Sequence, residues 1–167
     1  MVTGAGPERA GDGLEAALKE SRPNHIVAIG LCGGLNPADP IGAYAIPEEL
    51  VAGYDDAVYA CAPWPGVKAH GRLLSVGKLA ATPQEKSRLR ALHHARWVDM
   101  ETFAWASVAE RHGIPLTAIR VIVDGAWDYI PTWRVRKSWA SVLTLVAHAW
   151  VAHRRLRAIG PRILCAR

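Results

Sequence analysis

The sequence predicts an α/β fold layered around a mixed, mainly parallel sheet, within a single domain spanning residues 1–167. Three observations predict it. Short apolar, β-branched runs at His25–Ile29 and Leu116–Val123 read as strands buried on both faces. Segments with helix caps and helical spacing lie between such runs, and the two kinds alternate along the chain. Half of the 167 residues are apolar, enough to fill a core without covalent staples.

The elements follow in order. Glu8–Glu20 is a helix with Leu14, Ala17 and Leu18 on its apolar side, stopped by Pro23. His25-Ile26-Val27-Ala28-Ile29 is a strand ending at Gly30, and Cys32-Gly33-Gly34 makes a tight turn. Gly42–Ile46 is a further strand before Pro47, and the proline-containing stretch from Pro47 to Ala69 reads as a long loop. Arg72–Val76 is a strand. Thr82-Pro83 supplies an N-cap and a proline at the first helical position, so a helix runs from there to about Leu92. Arg96-Trp97-Val98 is a short strand, and Asp99 caps a helix from about Met100 to Arg111, closed by Gly113 and Pro115. Leu116–Val123 is the clearest strand, Gly125–Pro131 a loop, and residues 132–160 one long C-terminal helix.

Composition narrows the function classes. Eight of the 20 basic residues and one of the 15 acidic ones lie from Asp128 onward, leaving twelve basic against fourteen acidic before it. The positive excess is a tail rather than a stripe across a folded face, which argues against nucleic acid as partner. Cys32, Cys61 and Cys165 are widely spaced and form no Cys-x-x-Cys or Cys/His set, so neither a disulfide framework nor a metal site is expected. The seven histidines, including the pair His93-His94, are read as surface or core residues. No basic leader with an apolar core opens the chain. The longest apolar run, Trp139–Ala152, falls short of the roughly 20 residues a bilayer requires. A soluble cytoplasmic protein without cofactor is the expectation.

Three segments carry chemistry, each with a plainer alternative. In Ile29-Gly30-Leu31-Cys32-Gly33-Gly34-Leu35, glycines after a buried strand let a ligand approach the backbone; the plainer reading is a strand-to-loop turn. In Val98-Asp99-Met100-Glu101, carboxylates stand in the first turn of a helix, where free amides favour them and a sugar diol could be gripped; the alternative is simple capping. In Ile119-Arg120-Val121-Ile122-Val123-Asp124-Gly125, an arginine inside an apolar strand must be paired or face a site; the alternative is a structural ion pair and a turn aspartate. Glu101 precedes Arg120 by 19 residues and Asp124 by 23, which puts all three at the ends of neighbouring strands joined by one helix.

Val98-Asp99-Met100-Glu101-Thr102, then Gly-Ile-Pro, then Ile-Arg-Val-Ile-Val-Asp resembles the signature of the nucleoside phosphorylase and methylthioadenosine/S-adenosylhomocysteine nucleosidase superfamily. The turn at Gly30–Leu35 and the pair Gly71–Ser75 and Thr82–Lys86 are similar to the same family's ribose and base segments. The resemblance covers roughly Thr3 to Ala126. It implies a three-layer phosphorylase/hydrolase-like fold and cleavage of the N-glycosidic bond of a purine, adenine-type ribonucleoside, by hydrolysis or phosphorolysis. It implies Asp124 as the acid that protonates N7, and Met100, Glu101, Arg120, Cys32, Gly33 and Leu79 as substrate-binding residues, with Glu101 on the ribose hydroxyls.

The same resemblance implies a strand, a helix and another strand ahead of Val2, so this chain looks like a version lacking the first strands and the segment that carries the nucleophile site. Ala28 and Leu31 stand where phosphorylases have an arginine and a serine for phosphate, which leans toward hydrolysis, with phosphate still possible as a co-substrate. Thr3–Ala10 and Gly33–Pro37 are similar to the hopanoid-associated, adenosylhopane branch. The tryptophans and leucines of the last helix (Trp133, Trp139, Leu143, Leu145, Trp150), between its basic ends, fit contact with a membrane surface or greasy substrate as well as plain core packing. A homo-oligomer is expected. The alternatives are a non-catalytic nucleoside-binding or oligomer-forming relative and an unrelated flavodoxin-like module.

Overall fold

The computed structural model describes residues 6–131 and 139–164. Helix α1 covers Pro7–Glu20, β1 Ile26–Gly34, β2 Tyr44–Ala45, β3 Glu49–Ala52, β4 Val58–Ala60, β5 Arg72–Ser75, α2 Pro83–His93, β6 Trp97–Asp99, α3 Thr102–Arg111, β7 Leu116–Asp124 and α4 Trp139–Leu164. The strands form one mixed sheet in the order β2-β7-β1-β6-β5-β3-β4. Its long runs of pairing are parallel, β1 with β7 and β5 with both β3 and β6, while β2, β4 and the end of β1 pair antiparallel. The expected α/β class with a mixed, mainly parallel sheet is what the chain forms.

Alternation along the strands splits the core in two. Leu73 and Trp97 join Ala28, Leu116, Ala118 and Ile122 beneath Ala106 and Ala109 of α3. Their neighbours Leu74 and Val98 point the other way, to Val51, Ala80 and Leu89 of α2. Helix α1 packs on α3, and α4 lies along β7. The start of α2 is fixed by a capping box: Thr82 Oγ1 accepts from Glu85 N at 3.2 Å, and Glu85 Oε2 accepts from Thr82 N at 3.0 Å.

Three expectations are corrected. Cys32-Gly33-Gly34 is not a turn but the end of β1. A bulge between Cys32 and Gly33 lets the strand leave its register with β7 and pair with Trp97 and Val98 of β6. The stretch from Pro47 to Ala69 holds β3 and β4, an edge pair too short to show periodicity between prolines. The strand expected over 42–46 shrinks to Tyr44–Ala45. The last helix is observed from Trp139 to Leu164; residues 132–138, given to it from sequence, lie outside the described residues, as do Thr3–Ala5 and Cys165. Among the described residues, no helix is long and apolar enough to cross a membrane.

Gly30 shows how the sheet is built around one side chain. It pairs with Arg120 in the parallel β1–β7 register, and a Cβ at Gly30 would come within 1.9 Å of the Arg120 guanidinium. The guanidinium is fully buried and bonded, so it cannot swing aside. Gly30→Ala is expected to cost about 1–3 kcal/mol through overpacking, read as a lower denaturation midpoint; an unchanged midpoint would show the guanidinium free to move.

Candidate active site

The site is assembled where β6 and β7 end. Arg120, 2% exposed, reaches from β7 across Gly30 of β1 to the junction between β6 and α3. There its Nη2 lies 3.2 Å from Asp99 Oδ2, and its Nε donates to Thr102 Oγ1 at 2.9 Å. The ring of Trp105 covers the guanidinium at 4.9 Å. Asp99 also accepts from the Thr102 amide at 3.2 Å and from Ser75 Oγ at 2.6 Å, and Ser75 Oγ accepts from Phe103 N at 3.0 Å. The carboxylate, both hydroxyls and the Nε and Nη2 groups of this buried knot are therefore engaged, as burial requires. The cap expected at Asp99 is displaced: α3 begins at Thr102 with Glu101 at the N-cap position, and Asp99 reaches the Thr102 amide from further back, leaving Met100 and Glu101 in the bend before the helix.

Glu101 is half-buried, and its Oε1 accepts from the amide of Gly6, at the start of α1, at 3.1 Å. One carboxylate oxygen is thus oriented by a helix N-terminus, and among the described residues the other accepts no hydrogen bond. Asp124 ends β7, 4% exposed. Its Oδ2 lies 2.5 Å from the ammonium of Lys86 on α2, which is itself wholly buried. Burial drives the Asp124 carboxyl above the ordinary aspartate range; Lys86 is the main opposing influence, helped by His148, while Asp128 adds to the rise. His148 of α4 stands 3.5 Å from Asp128, whose carboxylate also accepts from Gly125 N at 2.8 Å.

A cavity of about 30 Å³ at this end of the sheet is lined by Gly33, Leu79, Asp99, Met100, Asp124 and Ile130, among others. Of the residues singled out from sequence, Gly33, Leu79, Met100 and Asp124 therefore meet around one hollow. Glu101 sits beside it in sequence but not in its lining, and Arg120 lies beneath, holding the junction. Cys32 is 3% exposed in the core under α3, where burial pushes its thiol well up. A second hollow of about 480 Å³ shares Val76, Lys78, Leu79 and Ala80 with the first and continues along α2. Among the described residues no His/Cys/Asp/Glu group could hold a metal ion.

Sequence reasoning missed Lys86. The only signal was the Thr82–Glu85 capping box, which fixes where α2 starts and hence which way the next residue points. On a helix whose neighbouring positions Glu85, Ser87 and Arg88 are all exposed, a lysine does not announce itself as buried.

The Arg120 knot makes a stability prediction. Asp99→Ala strands a buried guanidinium and should cost about 3–5 kcal/mol, read by urea unfolding; a loss under 1 kcal/mol would mean that Thr102 and Trp105 suffice to hold Arg120.

Residues 65–129 match the sequence model of the phosphorylase superfamily. No curated protein sequence matches the chain. Among solved structures, it is similar to S-adenosylhomocysteine nucleosidase from Streptococcus pyogenes in complex with 5-methylthiotubericidin, with a TM-score of 0.75 at 17% identity over 94% of this chain and 74% of the other. It is similar to 5′-methylthioadenosine nucleosidase of Arabidopsis thaliana, with a TM-score of 0.63 at 20% identity over 93% and 70%. Futalosine hydrolase of Helicobacter pylori gives 0.70 at 14% identity over 94% and 76%. The chain thus resembles the phosphorylase superfamily in the sequence of residues 65–129 and shares the fold of these nucleosidases along nearly its whole length.

Proposed function

We propose that this chain cleaves the N-glycosidic bond of a purine ribonucleoside, adenine-type, with Asp124 giving a proton to the departing base. The observation that carries the reading is Asp124 itself: a buried carboxyl at the end of β7, opening onto the same cavity as Met100, Leu79 and Gly33. Breaking the bond leaves negative charge on the base while the ribose becomes cationic, so an acid at N7 removes much of the barrier, commonly 10²–10⁴-fold. Burial suits Asp124 to the task because it favours the protonated form. In this reading Met100 packs against the sugar and the free oxygen of Glu101 accepts from the ribose hydroxyls. Arg120 acts through Asp99 and Thr102, fixing the bend that presents both residues.

The cavity is smaller than the roughly 300 Å³ at which small-molecule sites begin. A bound nucleoside therefore displaces the segment 77–80, and the larger hollow on its other side gives that segment room. Water is the favoured acceptor, since Ala28 is buried in the core and Leu31 carries no polar group, so neither offers phosphate a ligand. The exposed Val146 and Trp150 of α4 are compatible with an apolar 5′ substituent, as the adenosylhopane resemblance implies. We read the protein as a cytoplasmic homo-oligomer acting on a small nucleoside.

The test is release of free adenine from adenosine and 5′-methylthioadenosine, with and without phosphate. Release independent of phosphate is expected; tight binding with no release would favour the non-catalytic relative. Asp124→Asn should lower kcat by about 100-fold or more, with KM changed little. An acid must be protonated, so kcat/KM should fall as pH rises through the elevated Asp124 pKa; a pH profile with no such limb would remove Asp124 from the role. Glu101→Gln should raise KM and lower kcat together, because the ribose contact tightens as the sugar gains charge; unchanged kinetics would place the ribose elsewhere.

A further inference from the structure

We propose that Lys86 is the positioning residue for Asp124: its ammonium claims Oδ2 and the loop that follows, leaving Oδ1 as the oxygen that carries the proton toward the base. This rests on the reading of Asp124 as the acid.

The geometry is specific. An ammonium has three N–H donors and no acceptor. Lys86 Nζ meets three acceptors: Asp124 Oδ2 at 2.5 Å, Gly125 O at 2.6 Å and Asp128 O at 3.2 Å. Pairing with the carboxylate alone would satisfy one donor; the two carbonyls fix the turn after β7, so carboxylate and turn are held as one unit. The other boundary is Gly33. A Cβ there would lie 3.0 Å from Oδ2 and 3.3 Å from Oδ1, so the carboxylate rests against bare backbone. With Oδ2 bonded and one side closed by Gly33, Oδ1, which accepts no hydrogen bond among the described residues, is the oxygen left for another partner.

Lys86 also sets how readily the proton leaves. The charged and titratable groups around Asp124 are Lys86 from α2, Asp128 from the following loop, His148 from α4, Asp99 from β6, Arg120 on β7 and the Cys32 thiol on β1. Burial alone would bind the proton firmly, and an acid that never gives up its proton is a poor catalyst. Of these groups Lys86 is the strongest influence toward release. The nearby ammonium keeps the carboxyl transferable without lying in the substrate's path. When Oδ1 passes its proton to the base, the bond pair of the glycosidic C–N goes to the purine and the ribose carbon takes hydroxide from water, whose other proton goes to solvent; the carboxylate left behind is balanced by Lys86 until solvent reprotonates it.

The experiment follows the Asp124 carboxyl by ¹³C NMR titration, with Asp124→Asn identifying the resonance, in the wild-type chain, Lys86→Met and Lys86→Arg. Lys86→Met should raise the Asp124 midpoint by about one pH unit or more, a tenfold tighter proton. The alkaline limb of the kcat profile should move with it, and kcat should fall about tenfold at nearly constant KM. Lys86→Arg should restore most of both. An Asp124 midpoint unchanged in folded Lys86→Met would overturn the proposal. Should Lys86→Met not fold, the wild-type chain decides: the ¹⁵N resonance of Lys86 Nζ should step at the Asp124 midpoint, and a flat trace would be equally fatal. The titrations need no turnover, so a wild-type chain that titrates as expected yet releases no base would sink the enzymatic reading and leave the Lys86 assignment standing.

Discussion

The structure turns on a guanidinium that bridges three strands. Arg120 starts on β7, passes over β1 and ends on β6, and adjacent strands lie roughly 4.8 Å apart. Its path exists only because Gly30 of the intervening strand has no side chain. Once there, the charge is matched by Asp99, Nε and Nη2 donate to Thr102, and Trp105 closes the top. A lone buried charge would cost several kcal/mol, against a total stability of about 5–15 kcal/mol for a domain of ordinary size. The knot must therefore form whole, and when it does, the bend carrying Met100 and Glu101 has one geometry.

A second buried pair, Lys86 with Asp124, lies at the same end of the sheet and differs in kind. Arg120 is sealed beneath the cavity and its partners Asp99 and Thr102 are fixed by further bonds, whereas Lys86 binds backbone as well as the Asp124 carboxylate. The first pair holds shape, while the second holds a group in a condition to react. Placing them at the ends of β6 and β7, on either side of β1, lets one set the position of the sugar-facing bend and the other the state of the carboxyl. The bulge at Cys32–Gly33 joins the two, because Gly33 is register partner to both Val98 and Asp124.

Much of this was legible from the residues in order. The β7 run and the Thr82 cap of α2 are local: each depends on neighbours within four residues or on a pattern of β-branched side chains, and both appear where expected. The spacing of Glu101, Arg120 and Asp124 pointed to the ends of neighbouring strands, but β1 lies between β6 and β7, and Arg120 stands in the middle of β7. What failed were segments whose conformation is imposed from outside. β3 and β4 are strands only because β5 supplies an edge to pair with, and the glycines after Cys32 extend because β6 receives them.

By itself, the sequence determined the class of fold, the helix entries and the types of chemical group available, since propensity, capping and alternation act over a few residues. Tertiary structure decided what each group does. Gly30 serves a guanidinium rather than a ligand, Cys32 belongs to the core rather than the cavity, and Lys86, flanked on its helix by exposed polar residues, is the counter-charge of Asp124. Burial and pairing are properties of what lies opposite in space, and no count of residues along the chain contains them.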